Sequence, residues 1–230
     1  MFNFFRPIKL INILFFLNQR KLFKGKQVLD FGCGRGSYRK LLTKLGVQYS
    51  GLDFKVFNPE IELEGFFDDK KYLEYRGYFG VIMLFDVLQH LKEPDETLDK
   101  LGDLLNDRGS IIICAPFIFP ICDYEDYHRW TADGLDHFMK KKGFFLKKRT
   151  YRGGIMSTLF YLILMYFINL IIGNRAHWKL SNRFKKVLIA LLELVASPVG
   201  YTFLLIDTIF PNNGVYLGTI DIYTKTPIRT

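Results

Sequence analysis

Hydrophobic and polar positions follow two regimes along this chain. From Gly25 to Thr150, short apolar runs of strand length alternate with stretches of helical periodicity. Val28-Leu29-Asp30-Phe31, Val47–Asp53, Phe79–Phe85 (FGVIMLF), Ser110–Pro116 (SIIICAP) and Phe144–Arg149 read as strands, and Val215–Lys225 as a last one. FGVIMLF and SIIICAP are apolar at nearly every position, the pattern of strands covered on both faces. Ser37–Leu45 places Tyr38, Leu41, Leu42 and Leu45 at i, i+3, i+4 and i+7, and Gly46 follows to end a helix. Pro94–Leu105 opens on Pro with Asp95 and Glu96 at the positive end of the dipole. Thr131–Lys142 has Thr131 as its N-cap and Gly143 past its end. Strands alternating with helices in this way predict an α/β fold, a doubly wound parallel sheet with helices on both sides.

The second regime lies at 154–213. Ile155–Gly173 is a run of 19 residues without a charge, and Val187–Phe210 is apolar apart from Glu193 and Asp207. At the N-terminus, Leu10, Ile11, Ile13, Leu14, Phe15, Phe16 and Leu17 form an apolar block with basic flanks. No small-residue cleavage site follows, so Met1–Lys24 reads as a basic amphipathic helix that lies on lipid or caps the domain. The organisation expected is therefore a segment 1–24 and a domain 25–230, interrupted by a hydrophobic helical insertion at 154–213.

Composition sharpens this division. Apolar residues at 49% and charged ones at 24% exclude a disordered or fibrous chain. Three cysteines are too few for a disulfide scaffold, and no His/Cys cluster has zinc-ligand spacing. The net charge of +9 is unevenly placed: +6 over residues 1–29, −5 over 30–143 and +8 over 144–230. A nucleic-acid module carries its basic stripe on the core fold. Here the core is acidic and the positive charge sits on the apolar ends, which favours a membrane surface over a nucleic acid.

The strongest local feature is Asp30-Phe31-Gly32-Cys33-Gly34-Arg35-Gly36, between a strand and a helix. Glycines at alternate positions allow a tight turn and close backbone approach to a ligand at a helix N-terminus. The spacing is G-x-G-x-G rather than the G-x-G-x-x-G of dinucleotide folds. Asp53, 21 residues after Gly32 at the end of the next strand, is placed to take both hydroxyls of a ribose.

In these residues the chain resembles the class I S-adenosylmethionine-dependent methyltransferases. VLDFGCGRG (28–36) is similar to their first motif, GLDF (51–54) to the ribose-binding strand end, and FDVLQHLKEP (85–94) to the segment after the fourth strand. DYHRWTADGLDHF (126–138) resembles the stretch before the last helix and GVYLGTIDIYTK the final strand. The resemblance covers residues 25–150 and 214–225. It implies a Rossmann-like sheet of seven strands with the last antiparallel, and S-adenosyl-L-methionine as cofactor. The residues implied to hold it are Asp30, Gly32, Cys33, Gly34, Gly36, Asp53, Phe54, Asp68, Phe85 and Asp86. Two departures stand out. Glu64-Gly65-Phe66-Phe67 occupies the place where the family often sets an adenine-binding acid, leaving Asp68, Asp69 or neither for that role. Gln89 replaces a common Glu.

Methyl transfer from a sulfonium asks for in-line alignment, and for a base when the acceptor is a hydroxyl. His90, just past the fourth strand, is one candidate base, and its alternative is a histidine hydrogen-bonding the loop. His128 is the second candidate. Arg129 either binds an acidic substrate group or plays a packing or solvated role, and Cys33 reads as a small loop residue with nothing basic to activate it.

Two spans in the insertion would leave Arg175, Lys179, Arg183, Lys185 and Lys186 outside, against the positive-inside rule. Glu193, Pro198 and Asp207 also weaken the second segment as a span. An interfacial hairpin, with helices packed on the sheet or forming a dimer interface as the alternative, is the expectation. The enzyme expected is thus cytoplasmic, peripheral on the inner membrane face, and acts on a small or lipid-linked acceptor such as a glycan or polyprenyl intermediate. The competing readings are an RNA methyltransferase and a non-catalytic binding protein on the same fold. Oligomeric state is not legible.

Overall fold

The computed structural model describes residues 6–53, 63–64, 73–121, 125–172, 182–211 and 214–225. They form two compact units: Phe15–Phe117, Tyr124–Thr150 and Thr219–Thr230 in one, and Met1–Leu14, Ile118–Asp123 and Tyr151–Gly218 in the other.

The first unit is built on a seven-stranded sheet. Its elements are β1 (Gln27–Phe31), α3 (Arg39–Lys44), β2 (Gln48–Asp53), β3 (Leu63–Glu64), β4 (Phe79–Phe85), α4 (Pro94–Leu104), β5 (Leu105–Pro116), α5 (Ala132–Lys141), β6 (Phe145–Tyr151) and β7 (Gly218–Thr224). Before them run α1 (Arg6–Asn18) and α2 (Arg20–Phe23). The strand order is β3-β2-β1-β4-β5-β7-β6. The pairings β2–β3, β1–β2, β1–β4 and β4–β5 are parallel. The end of β6 meets the start of β7: Arg152 N–H donates to Gly218 O and Leu217 N–H to Arg152 O, so the last strand runs antiparallel to β6.

Alternation along the central strands sends side chains to opposite faces. Ile82 and Leu84 of β4 join Ile111 and Ile113 of β5 against Leu98 and Leu101 of α4 and Leu135 and Met139 of α5. Val81, Met83 and Phe85 join Ile112 and Cys114 against Leu42 of α3. Phe15, Phe16 and Phe23 belong to that second cluster, so α2 and the end of α1 cover the sheet. Phe16 stacks on Phe85 at 5.0 Å between ring centroids. β5 starts five residues earlier than its apolar run, because Phe79 pairs with Leu105 while Val81 pairs with Ser110. Asn106-Asp107-Arg108-Gly109 form the irregularity between those pairs, which is why they read as a break in the sequence. Thr131 caps α5 by accepting from Gly134 N–H at 3.0 Å.

The second unit contains the helices α6 (Ile155–Ile172) and α7 (Asn182–Ile209). Tyr161, Leu164, Met165 and Ile168 of α6 pack with Ala196 of α7, Ile8 and Leu217. The start of α6 is tied to the far end of α7. Asp207 accepts from Gly154 N–H (2.9 Å), Met156 N–H (3.1 Å), Ser157 N–H (2.9 Å) and the Ser157 hydroxyl (2.5 Å). This buried carboxylate thus satisfies the orphan amides of a helix N-terminus. Pro198 sits inside α7, and next to it the Ser197 hydroxyl donates to Glu193 O at 2.6 Å.

Opposite these contacts the hairpin is apolar and exposed. Leu159, Ile163, Tyr166, Phe167 and Leu170 lie on one side of α6, and Leu191, Leu194, Val195, Leu205 and Ile209 on α7. Val187–Ile209 is long and apolar enough to cross a membrane by length and composition, and only 17% of an apolar 18-residue stretch within it is buried.

Candidate active site

The glycine loop leaves β1 at Phe31 and enters α3 at Arg39. Gly32, Gly34 and Gly36 have φ of +72°, +56° and +68°, the left-handed region that a Cβ disfavours. At Gly32 a Cβ would also stand 2.5 Å from Val87 Cγ2, so the loop lies directly against the chain after β4. At Gly34 a Cβ would meet none of the described residues within 4 Å, which leaves open space among them over the loop.

The loop is tied to the end of β2. Gly32 N–H and Cys33 N–H both donate to Leu52 O, at 2.8 and 3.0 Å. Gly34 N–H donates to Asp53 Oδ2 at 2.8 Å, fixing a carboxylate beside the open space. Asp53 itself is 6% exposed.

Beneath the loop lies Asp30, 2% exposed, whose Oδ2 accepts the Tyr49 hydroxyl at 2.6 Å. Burial pushes the Asp30 carboxyl up to about 7; the Tyr49 hydrogen bond opposes that rise and the neighbouring Asp53 adds to it. The Cys33 thiol is pushed up to about 12, by burial first and then by the carboxylates of Asp30 and Asp53. It is therefore a thiol at neutral pH and no nucleophile.

After β4, Asp86 is the one non-glycine residue at positive φ (56°) among the described residues. Its N–H donates to Cys114 O at 2.9 Å and its carbonyl accepts Gln89 Nε2 at 2.8 Å, so contacts on both sides hold the strained conformation. The ring of Phe85 packs among Phe15, Phe16 and Tyr38, so its side chain belongs to the core. Phe54 and Asp68 lie outside the described residues.

A short 3₁₀ turn, Leu88–His90, carries the acceptor-side candidates. Gln89 O accepts Tyr127 N–H at 2.8 Å and His128 N–H at 3.3 Å, joining the segment before α5 to this turn. His90 Nδ1 lies 2.5 Å from Glu125 O. A carbonyl only accepts, so this bond puts the proton on Nδ1 and leaves Nε2 of the neutral ring as an acceptor. The two histidines thereby differ. His128 Nε2 is buried with no hydrogen-bond partner among the described residues, and its ring sits 5.5 Å from Trp130, which stacks on Phe138. Arg129 is engaged by a bidentate pair with Asp126 and is not held out toward an anionic substrate.

Two features here escaped the sequence reading. Tyr49 under Asp30 is hidden because it looks like any strand aromatic. The Asp126–Arg129 pair had a signal, opposite charges three residues apart, but no helix to give that spacing meaning.

These residues fit S-adenosyl-L-methionine. No described residue fills the space over Gly34, Gly32–Gly36 permit close backbone approach, and Asp53 offers a fixed carboxylate at the strand end. Comparison with known proteins agrees. Residues 6–151 match the family described as a methyltransferase domain. The chain is 24% identical over 178 residues to the ubiquinone biosynthesis O-methyltransferase of Nitrosococcus oceani, covering 64% of this chain and 75% of that one. Of further curated relatives with that name it spans only 42%. Among solved structures, a putative sarcosine dimethylglycine methyltransferase from Galdieria sulphuraria matches with a TM-score of 0.55 and 15% identity, over 94% of this chain and 84% of that one. A Haemonchus contortus phospholethanolamine N-methyltransferase 2, solved with phosphomonomethylethanolamine and S-adenosylhomocysteine, matches with a TM-score of 0.52 and 15% identity, over 94% of this chain and 53% of that one. With its glycine loop, its sheet order and a family match over more than half its length, the chain belongs to the class I S-adenosylmethionine-dependent methyltransferases, with S-adenosyl-L-methionine as cofactor.

Proposed function

We propose that this methyltransferase acts on a hydroxyl of a small or lipid-linked acceptor, such as a glycan or polyprenyl intermediate, at the inner membrane face. Asp53 and the Gly32–Gly36 loop hold the cofactor, which supplies an activated methyl group. His90 Nε2 takes the proton from the acceptor hydroxyl. The bond from His90 Nδ1 to Glu125 O supports that role, because it directs the ring's acceptor nitrogen away from the loop that orients it. An oxygen acceptor also agrees with the O-methyltransferase named among the relatives.

The observation that carries the membrane part is the exposed apolar side of the α6–α7 hairpin. Soluble proteins rarely expose so many contiguous large apolar side chains. The basic residues Arg175, Lys179, Arg183, Lys185 and Lys186 lie in sequence between and at the start of these helices, suited to anionic headgroups. The lock between Asp207 and the start of α6 supports a hairpin that enters and leaves on one side.

The test is incubation with radiolabelled S-adenosylmethionine and a fractionated cell extract. Label is expected in the lipid fraction, and the protein is expected to float with anionic liposomes. Label in RNA with no flotation would overturn this reading.

A further inference from the structure

We propose that Asp126 and Arg129 are positioning residues: their pair holds the 125–130 segment so that the Glu125 carbonyl keeps the His90 proton on Nδ1. The inference rests on the reading of His90 as base and adds what sets its tautomer.

Residues 125–130 have no regular secondary structure, yet four interactions fix them on the Leu88–His90 turn and on one another. Two are the amides of Tyr127 and His128 on Gln89 O. The third is the Glu125 carbonyl on His90 Nδ1. The fourth is the charge pair. Arg129 Nη1 donates to Asp126 Oδ1, Nη2 to Asp126 Oδ2 at 2.5 Å, and Nη1 also to His128 O at 2.9 Å. The fork therefore closes a loop from Asp126, whose N–H shares the peptide that presents Glu125 O, across to the His128 carbonyl.

The Asp126 side chain is only 4% exposed. A buried carboxylate depends on its charge-assisted bonds, so removing the guanidinium takes away the two-bonded fork that fixes the Asp126 backbone. The residue that moves with Asp126 is Glu125. A planar fork matters more than charge alone, because two parallel N–H···O bonds fix direction as well as distance. A neutral imidazole freed from its carbonyl carries its proton on either nitrogen. A proton on Nε2 occupies the lone pair that a base needs. Gln89 and the pair thus divide the work: Gln89 docks the segment, and the pair sets the direction of the one carbonyl that chooses the tautomer.

The experiment uses the full chain with ring-¹⁵N histidine, the His90 signals being assigned by difference from His90→Gln. In the wild type at about pH 8, Nδ1 is expected to be protonated and Nε2 bare. Arg129→Ala is expected to spread the proton over both nitrogens. Arg129→Lys, which keeps the charge and loses the fork, should be intermediate. A wild-type pattern in folded Arg129→Ala or Arg129→Lys protein, with folding judged by S-adenosylhomocysteine binding, overturns the proposal. If the alanine variant does not fold, the lysine variant decides. Activity of His90→Gln on the lipid extract is a separate readout. Retained methyl transfer there removes the base reading, while a tautomer that still responds to Arg129 leaves the positioning claim standing.

Discussion

In the sheet unit the large apolar side chains are inside: Val81, Ile82, Met83, Leu84, Ile111, Ile112 and Ile113 are fully buried. In the hairpin unit, residues of the same chemistry face outward, with Val195 at 72% and Tyr166 at 62% exposure. Hydrophobicity alone does not distinguish these regions; what distinguishes them is whether the apolar surface has a partner. The sheet's strands are covered on both faces by helices of their own unit. The hairpin packs one side and leaves the other bare. Polar groups differ in the same sense. Asp53 is held beside the open space over Gly34 and Asp30 is buried beneath that loop on Tyr49, whereas Asp207 is consumed by the helix start it caps. One region is organised around a ligand, the other around its own closure and an outward apolar side.

That contrast can be broken by substitution. The largest effect is expected from Gly32→Ala. A left-handed Cβ costs ~1–2 kcal/mol, and overlap with Val87 adds ~1–3 kcal/mol. Cofactor binding and melting temperature should both fall, and Val87→Ala should restore only the overlap part. Asp207→Asn comes next. Loss of charge-assisted bonds at the α6 start should lower stability by about 2 kcal/mol, measured by denaturant melts. Affinity for S-adenosylhomocysteine should not change, and a parallel loss would show that the two regions are not separable.

Asp30 gives a pH-dependent effect. Its carboxyl is raised from 3.8 to about 7, so the native protein binds more protons than the unfolded chain between those values. Stability of the free protein should therefore be highest below pH 3.8 as far as this group is concerned. It should fall as pH rises through the window at up to ~1.4 kcal/mol per pH unit and level off above 7. Asp30→Asn should flatten that slope in thermal melts, while Tyr49→Phe should extend it to higher pH. The smallest effect belongs to the basic residues that lie in sequence between the two helices and at the start of the second. Lys179→Ala and Lys186→Ala should each weaken binding to anionic vesicles by ~1 kcal/mol, read by flotation, with cofactor affinity unchanged.

Much of the sheet unit is legible in the sequence because local and global signals agree there. FGVIMLF and Phe79–Phe85 coincide in extent, Thr131 caps the helix it was expected to cap, and the glycines fall at positive φ. Legibility fails where a side chain's role depends on a distant partner. Phe85 adjoins the site in sequence, yet its ring is claimed by Phe16 and Tyr38. His90 and His128 looked equivalent until the backbone assigned one to Glu125 O and buried the other's Nε2 beside Trp130. Asp207 read as a flaw in an apolar segment, whereas it caps a helix that starts 52 residues earlier in the chain. Such roles are set by tertiary geometry, for which spacing carries no signal.

The Gly32–Gly36 loop and Asp53 are expected to form the cofactor site, which calorimetric titration with S-adenosylhomocysteine probes without any acceptor. Wild-type protein is expected to give saturable one-to-one binding. Asp53→Ala is expected to bind ~10²-fold more weakly, a loss of roughly 3 kcal/mol. No heat from the wild type, or equal affinity in a folded Asp53→Ala protein, would contradict the claim.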